Sequence, residues 1–241
     1  MTHPFVMSEP EHKVPNIVTL LGGGPVDDET LRRVLRLAPY LVAADGGANY
    51  AHAHKIPVKH IVGDFDSLTS LQIWQDKGVN LVRLDEQDST DFEKCLYTID
   101  AKVYLCAGFL GRRLDHSLAC LRSLVTYPDK AAILIGESDI TLCCPEDFSL
   151  DMRAGDIVSL FPMGDVLGVG SEGLKWPING LEFTPSGQIG TSNEALGGPM
   201  TIRLNGKKML LILPLRYLEA VIETFVSPTV FPAKPDKDQS L

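Results

Sequence analysis

Acidic side chains gather in four short stretches, each placed where a loop is expected: Asp45-Gly46-Gly47-Ala48-Asn49, Gly63-Asp64-Phe65-Asp66-Ser67, Asp85-Glu86-Gln87-Asp88-Ser89-Thr90-Asp91, and Gly108 through Asp115-His116. A single Asp before a helix is an ordinary N-cap, and Thr90 with Glu93 has capping-box spacing. Recurrence in four successive loops asks for more. Carboxylates that converge raise one another's pKa and destabilise the fold unless a cation neutralises them. Oxygen donors without His or Cys at metal spacing suit Mg²⁺, Mn²⁺ or Ca²⁺ and not Zn²⁺. An anion-binding side is also present. Gly22-Gly23-Gly24 offers backbone N–H groups, and Arg112 and Arg113 offer guanidinium groups suited to phosphate oxygens. Together these describe a metal-nucleotide cleft, although the glycine run taken alone fits a plain turn as well as a phosphate cradle.

Such residues meet only if the chain aligns their loops. From Asn16 to about Cys143, short apolar runs alternate with amphipathic stretches: Ile17-Leu21, Tyr40-Ala44, His60-Gly63, Asn80-Arg83, Lys102-Ala107 and Ala131-Ile135 read as strands. Helices are expected at Thr30-Leu37, Asn49-His54, Leu68-Lys77, Thr90-Asp100 and Leu114-Tyr127. Phe92, Cys95, Leu96 and Ile99 form one buried face, and Leu114, Leu118, Leu121 and Val125 another. Alternating strands and crossover helices imply a Rossmann-like α/β unit with a mainly parallel sheet, whose carboxyl edge carries all four acidic loops. After Pro145 helical periodicity gives way to short β-type runs, Ile157-Phe161, Thr201-Leu204 and Met209-Leu213, the pattern of a small all-β sandwich. The expected organisation is residues 1–145 α/β, 146–227 β-sandwich and 228–241 a frayed tail.

Composition narrows the function. The 241 residues are 44% apolar and 22% charged, an ordinary folded protein, and 22 Lys+Arg against 31 Asp+Glu leave a charge of -9. That sign argues against nucleic-acid binding. No run reaches the ~18 apolar residues that cross a bilayer, so neither membrane nor secretion is expected. Five cysteines without C-x-x-C spacing read as reduced thiols of a cytoplasmic protein, and His52, His54 and His60 as surface residues. Asp27 replaces the third glycine of a dinucleotide fingerprint, and neither a P-loop, a G-x-S-x-G elbow nor a zinc helix occurs.

Six segments, in order, resemble thiamin pyrophosphokinases: Asp45 to Asn49, Gly63 to Ser67, Thr90 to Lys94, Gly111 to His116, Gly173-Leu174-Lys175-Trp176 and Thr191-Ser192-Asn193. The likeness spans roughly residues 16–214. It implies transfer of the pyrophosphoryl group of ATP to the thiamin hydroxyl, giving thiamin diphosphate and AMP. It also implies a homodimer with the thiamin site between protomers. By matched position, Asp64, Asp66 and Asp91 resemble the Mg²⁺ group. Gly23, Asp45, Gly46, Asn49, Thr90, Arg113, Asp115 and His116 belong with the nucleotide and phosphates. Trp176, Ser192 and Asn193 resemble the thiamin-binding positions, with Gln87 beside them. An indole face suits the thiazolium cation, and Ser and Asn suit an aminopyrimidine; a core-anchor role for Trp176 is the alternative. The hydroxyl would attack the β-phosphorus in line, with Mg²⁺ and Arg113 stabilising charge and Asp64 or Asp91 accepting the proton. One departure stands out. Gly111-Arg112-Arg113 replaces a Gly-Gly-Arg pattern, so Arg112 either points to solvent, the preferred reading, or alters how phosphate approaches. An ADP-forming kinase and a non-catalytic binder are the rival functions.

Overall fold

The computed structural model describes residues 12–227, so the tail read from Pro228 lies outside the described residues. The α/β half runs β1 (His12–Lys13), β2 (Ile17–Leu21), α1 (Asp28–Leu37), β3 (Leu41–Ala44), α2 (Gly47–Ala53), β4 (His60–Gly63), α3 (Leu71–Asp76), β5 (Asn80–Arg83), α4 (Asp91–Thr98), β6 (Ile99–Asp100), β7 (Val103–Ala107), α5 (Leu114–Thr126) and β8 (Ala131–Ile135). The rest runs β9 (Asp139–Cys143), β10 (Asp147–Met152), β11 (Ile157–Pro162), β12 (Val166–Glu172), β13 (Glu182–Phe183), β14 (Gly190–Glu194), β15 (Gly198–Leu204), β16 (Met209–Pro214) and α6 (Leu218–Val226).

Six strands pair in parallel in the order β8-β7-β2-β3-β4-β5. Helices cover both faces, which is why strands such as Leu41–Ala44 and Val103–Ala107 are buried throughout instead of alternating. Strand β2 lies between β3, its successor, and β7, reached much later, so the loops after β2 and β7 flank a topological switch point. The parallel α/β class read from the sequence is the observed one, and the β-sandwich follows it: β10, β15, β12 and β13 form a four-stranded antiparallel sheet.

That sandwich shares a sheet with the α/β half. Antiparallel strands β9, β16, β11 and β14 continue outward from β8, making one ten-stranded sheet in the order β14-β11-β16-β9-β8-β7-β2-β3-β4-β5. The small sheet packs on its outer half, where Phe148, Met200 and Ile202 meet Leu160, Leu211 and Leu213 in a core that also takes in Val103 and Ile133. Helix α6 closes this core through Leu218, Val221 and Ile222. The β-type reading passed over this helical spacing, and it also left β10, β12, β13 and β14 unnamed. Arg33 of α1 makes a two-pronged pair with Glu219 of α6, its Nε 2.9 Å from Oε1, tying the first helix to the last.

Two local expectations change, and the preferred reading of Arg112 as solvent-facing holds. His60 is 1% exposed because β4 is an interior strand; its Nδ1 stands 3.1 Å from the Tyr40 hydroxyl. Leu114 and Leu118 are 73% and 53% exposed, because the buried side of α5 is set by Cys120, Ser123 and Leu124. Arg112 is exposed and also lines a large cavity, described below. The α4 face holds as read: Phe92, Cys95, Leu96 and Ile99 are all buried. All five cysteines are unpaired. Among the described residues no helix is long and apolar enough to cross a membrane.

Candidate active site

The four acidic loops all leave the carboxyl edge of the parallel strands, after β3, β4, β5 and β7. Asp45, Asp64 and Asp66 each place a carboxylate oxygen within 4.8 Å of the other two. None of these three caps a helix: Gly46 precedes α2, and Ser70 precedes α3. Capping does explain Thr90, whose hydroxyl accepts from Glu93 N–H while Glu93 accepts from Thr90 N–H.

Asp45 is the most constrained member. It ends β3 with φ +37, a left-handed turn that costs a non-glycine residue about 1 kcal/mol. It is 2% exposed; Oδ2 accepts from Ser67 N–H at 3.2 Å, whereas Oδ1 is buried without a partner among the described residues. Burial pushes its pKa up, opposed by the Ser67 hydrogen bonds and reinforced by the charges of Asp66 and Asp64. An orphaned buried carboxylate oxygen facing two more carboxylates is a donor set that fits a hard divalent cation. Asp64 is the best solvated electrostatically. Hydrogen bonds from Asp66 N–H and then Gln87 Nε2 hold its pKa below the usual carboxylate value.

Asp91 stands behind this trio, not inside it. A Cβ on Gly63 would lie 2.8 Å from the Asp45 Cβ and 3.3 Å from Asp91 Oδ1, so only glycine lets the two acidic residues close around the strand end. Burial, then the charge of Asp45, lifts the Asp91 carboxyl to about 6, against the opposing pull of Lys94. Lys94 is itself buried, with Nζ 3.6 Å from Asp91 Oδ1. The sequence reading gave Lys94 no role; its signal was the i, i+3 spacing from Asp91 on one helix face.

Other expected residues serve as braces. The Asn49 amide donates to Ser67 C=O at 2.7 Å and accepts from Thr69 N–H at 3.0 Å, fixing the loop that carries Asp64 and Asp66. Glu86 accepts from the Tyr97 hydroxyl and from Asp88 and Ser89 N–H, which fixes the loop leading to Asp91. Arg113 is exposed and held by Asp115 through two hydrogen bonds, at 3.2 and 2.6 Å. His116 is exposed on the same loop.

At the switch point opens a cavity of about 990 Å³, lined by Gly23, Gly24, Asp27, Arg33, Arg36, Tyr50 and Arg112 among others. The glycine run is only partly a cradle, because Gly22 N–H donates to Ala107 C=O and Gly24 N–H to Gly108 C=O. These glycines are required by backbone contact: a Cβ on Gly22 would fall 2.4 Å from the Gly108 oxygen. Gly23 connects the cavity to the acidic trio, since a Cβ there would lie 3.6 Å from the carbonyl carbon of Gly46, the neighbour of Asp45.

A second cavity, about 350 Å³, lies in the sandwich between Trp176, Ile178, Phe183, Gln188, Ser192 and Asn193. Trp176 is 54% exposed, which excludes the core-anchor reading. Its loop is held by Asn193, whose Oδ1 accepts from Trp176 N–H at 3.1 Å and whose Nδ2 donates to Trp176 C=O at 2.7 Å. Ser192 adopts φ +60 and anchors its N–H on Ser159 Oγ, which leaves its exposed side chain on the cavity wall. Lys175 Nζ lies 4.9 Å from the Trp176 ring centroid and 3.0 Å from Glu194 Oε2.

Comparison with known proteins bears on the family of the whole chain. Residues 31–135 match the model of the thiamin pyrophosphokinase catalytic domain, and residues 143–208 that of the thiamin pyrophosphokinase vitamin B1 binding domain. The chain is 30% identical over 178 residues to thiamin pyrophosphokinase 1 of Caenorhabditis elegans, covering 65% of this chain and 72% of that protein. It is 26% identical over 185 residues to thiamine pyrophosphokinase 2 of Arabidopsis thaliana, covering 63% and 69%. The fold resembles that of yeast thiamin pyrophosphokinase, with a TM-score of 0.71 over 86% of this chain and 88% of that one at 18% identity. With both domain models matched in order along one chain, this protein belongs to the thiamin pyrophosphokinase family, enzymes that move the pyrophosphoryl group of ATP onto thiamin to give thiamin diphosphate and AMP.

Proposed function

We propose that the chain carries out this transfer with ATP running from the switch-point cavity, past Gly23 and Gly46, to the acidic trio, while thiamin occupies the Trp176 cavity. The buried, unpartnered Asp45 Oδ1 beside Asp64 and Asp66 is the observation that carries the reading. Asp45, Asp64 and Asp66 would hold Mg²⁺, with Asp91 behind them. When bound, the ion offsets carboxylate charge and stabilises charge on the phosphates. Gln87 keeps Asp64 oriented, Lys94 keeps Asp91 in place, and Asn49 braces the loop. Arg113 is available to exchange Asp115 for a phosphate oxygen, and Asp64, with its lowered pKa, is a weaker proton acceptor than Asp91. Positioning and electrostatics carry the catalysis. Incubation with ATP, Mg²⁺ and thiamin tests the reaction: thiamin diphosphate and AMP are expected, and ADP would exclude pyrophosphoryl transfer.

The two substrate cavities of one chain are far apart. Gly190 to Asn193 of β14 line the thiamin cavity, Asp45 ends β3, and seven strand-to-strand steps separate β14 from β3. At ~4.8 Å per step that is about 34 Å along the sheet. This supports a homodimer in which each thiamin cavity serves the acidic trio of the other protomer. The five unpaired thiols are in keeping with a cytoplasmic enzyme.

Metal binding should depend on pH. A cation must displace the proton from any carboxyl it engages, here Asp45, whose pKa is raised, and its charge also favours ionisation of Asp91 behind it, lifted to about 6. Apparent Mg²⁺ affinity is therefore expected to rise about tenfold between pH 5 and 7 and to flatten above. Calorimetry near pH 5.5 in buffers of different ionisation enthalpy should show proton release. In the metal-free chain the same shift acts on folding in the opposite sense. A carboxyl raised from 3.8 to about 6 stabilises the fold least once it is ionised, so stability falls as pH rises through that window. An Mg²⁺ affinity independent of pH would remove Asp45 from the cation site.

A further inference from the structure

Arg112 is the one cation of its loop left over by the preceding account. Its φ is +51, a left-handed conformation that an L side chain adopts at a cost. Arg113, next in sequence, is neutralised by Asp115 through two hydrogen bonds. Arg33, on the same cavity wall, is neutralised by Glu219. Among the described residues the Arg112 guanidinium has no hydrogen-bond or ion-pair partner. It nevertheless lines the switch-point cavity together with Gly23, the residue that joins this cavity to the acidic trio. Asp27, Glu29 and Glu137 also line the cavity and repel phosphate, and Arg36 adds a second cation to its wall, but Arg112 is the one carried by the loop that follows β7 at the switch point.

We infer that Arg112 is a second phosphate-binding residue for the nucleotide: it meets the phosphate nearest the nucleoside, the one that leaves with AMP, while the outer phosphates lie toward Asp45, Asp64 and Asp66. The inference rests on the placement of the nucleotide in this cavity. A guanidinium aimed there distinguishes a nucleotide from a nucleoside, and it stabilises charge on the departing group.

The test is equilibrium binding of AMP and of adenosine to the full chain without divalent metal. Arg112→Gly should fold normally, because glycine accepts a φ of +51 without strain. Its dissociation constant for AMP is expected to rise about tenfold, the loss of one charge-assisted phosphate contact, with adenosine binding unchanged. Arg112→Lys should recover part of the loss. Unchanged AMP affinity in Arg112→Gly would overturn the proposal, as would an equal loss for AMP and adenosine, which would mark a disturbed loop. Thr30→Trp, which sets an indole into the cavity, separates the two levels of the argument. If it leaves AMP binding intact, the nucleotide lies elsewhere and both readings fall. If it abolishes binding while Arg112→Gly has no effect, only the role of Arg112 falls.

Discussion

Asp66→Asn is expected to lower kcat about a hundredfold or more, equivalent to about 2.7 kcal/mol of transition-state stabilisation, with the fold intact. Asp66 is exposed, and its one hydrogen bond as acceptor, from Ser67 Oγ at 2.9 Å, is retained by the oxygen of an Asn side chain. Its charge raises the pKa of Asp45, so neutralising it relieves repulsion in the metal-free protein. The unfolding temperature should therefore stay level or rise slightly while turnover collapses. A merely structural residue would not separate the two in that direction. Steady-state kinetics at saturating Mg²⁺, paired with thermal unfolding, check the result; turnover close to that of the unmodified enzyme would take Asp66 out of the cation site.

The second large effect belongs to Trp176. Trp176→Ala should raise the KM for thiamin by ten- to thirtyfold with a smaller change in kcat, since on the proposed placement the indole meets the thiazolium ring rather than the reacting hydroxyl. Trp176→Phe should keep part of the affinity. Lys175 now lies against the ring, and its partner Glu194 can retain it when a ligand cation takes its place. The distance between cavities sharpens the test. Mixing Asp66→Asn with Trp176→Ala chains and allowing exchange should restore activity, because a mixed pair holds one composite site with both residues intact. No recovery after exchange would favour a site completed within one chain.

Much of this was legible in the residues alone, because local rules suffice for it. Ile17–Leu21 and His60–Gly63 are strands as read, since continuous β-type runs between turn residues leave little choice. Asp64 and Asp66 were recognisable because the loop after a parallel strand must open at the carboxyl edge. That Asp45 joins them while Asp91 stands behind was not legible. It depends on the left-handed turn at Asp45 and on how closely Gly63 lets two acidic residues approach. The burial of His60 depends on β5 lying beyond β4, and the exposure of Leu114 on which side of α5 packs inward, the one carrying Cys120, Ser123 and Leu124. The pairing of β8 with β9 and of β9 with β16 is a long-range choice that no window of sequence encodes.

That shared sheet governs how water can be kept from the reaction. Five consecutive residue pairs join β9 to β16, so the nucleotide-bearing and vitamin-bearing parts of a protomer form one stiff plank with no hinge by which to clamp down on their ligands. In the homodimer proposed above, a dry reaction chamber would be walled by apposing two such planks. The entropy lost in building it would be met once, on association, instead of at every catalytic cycle.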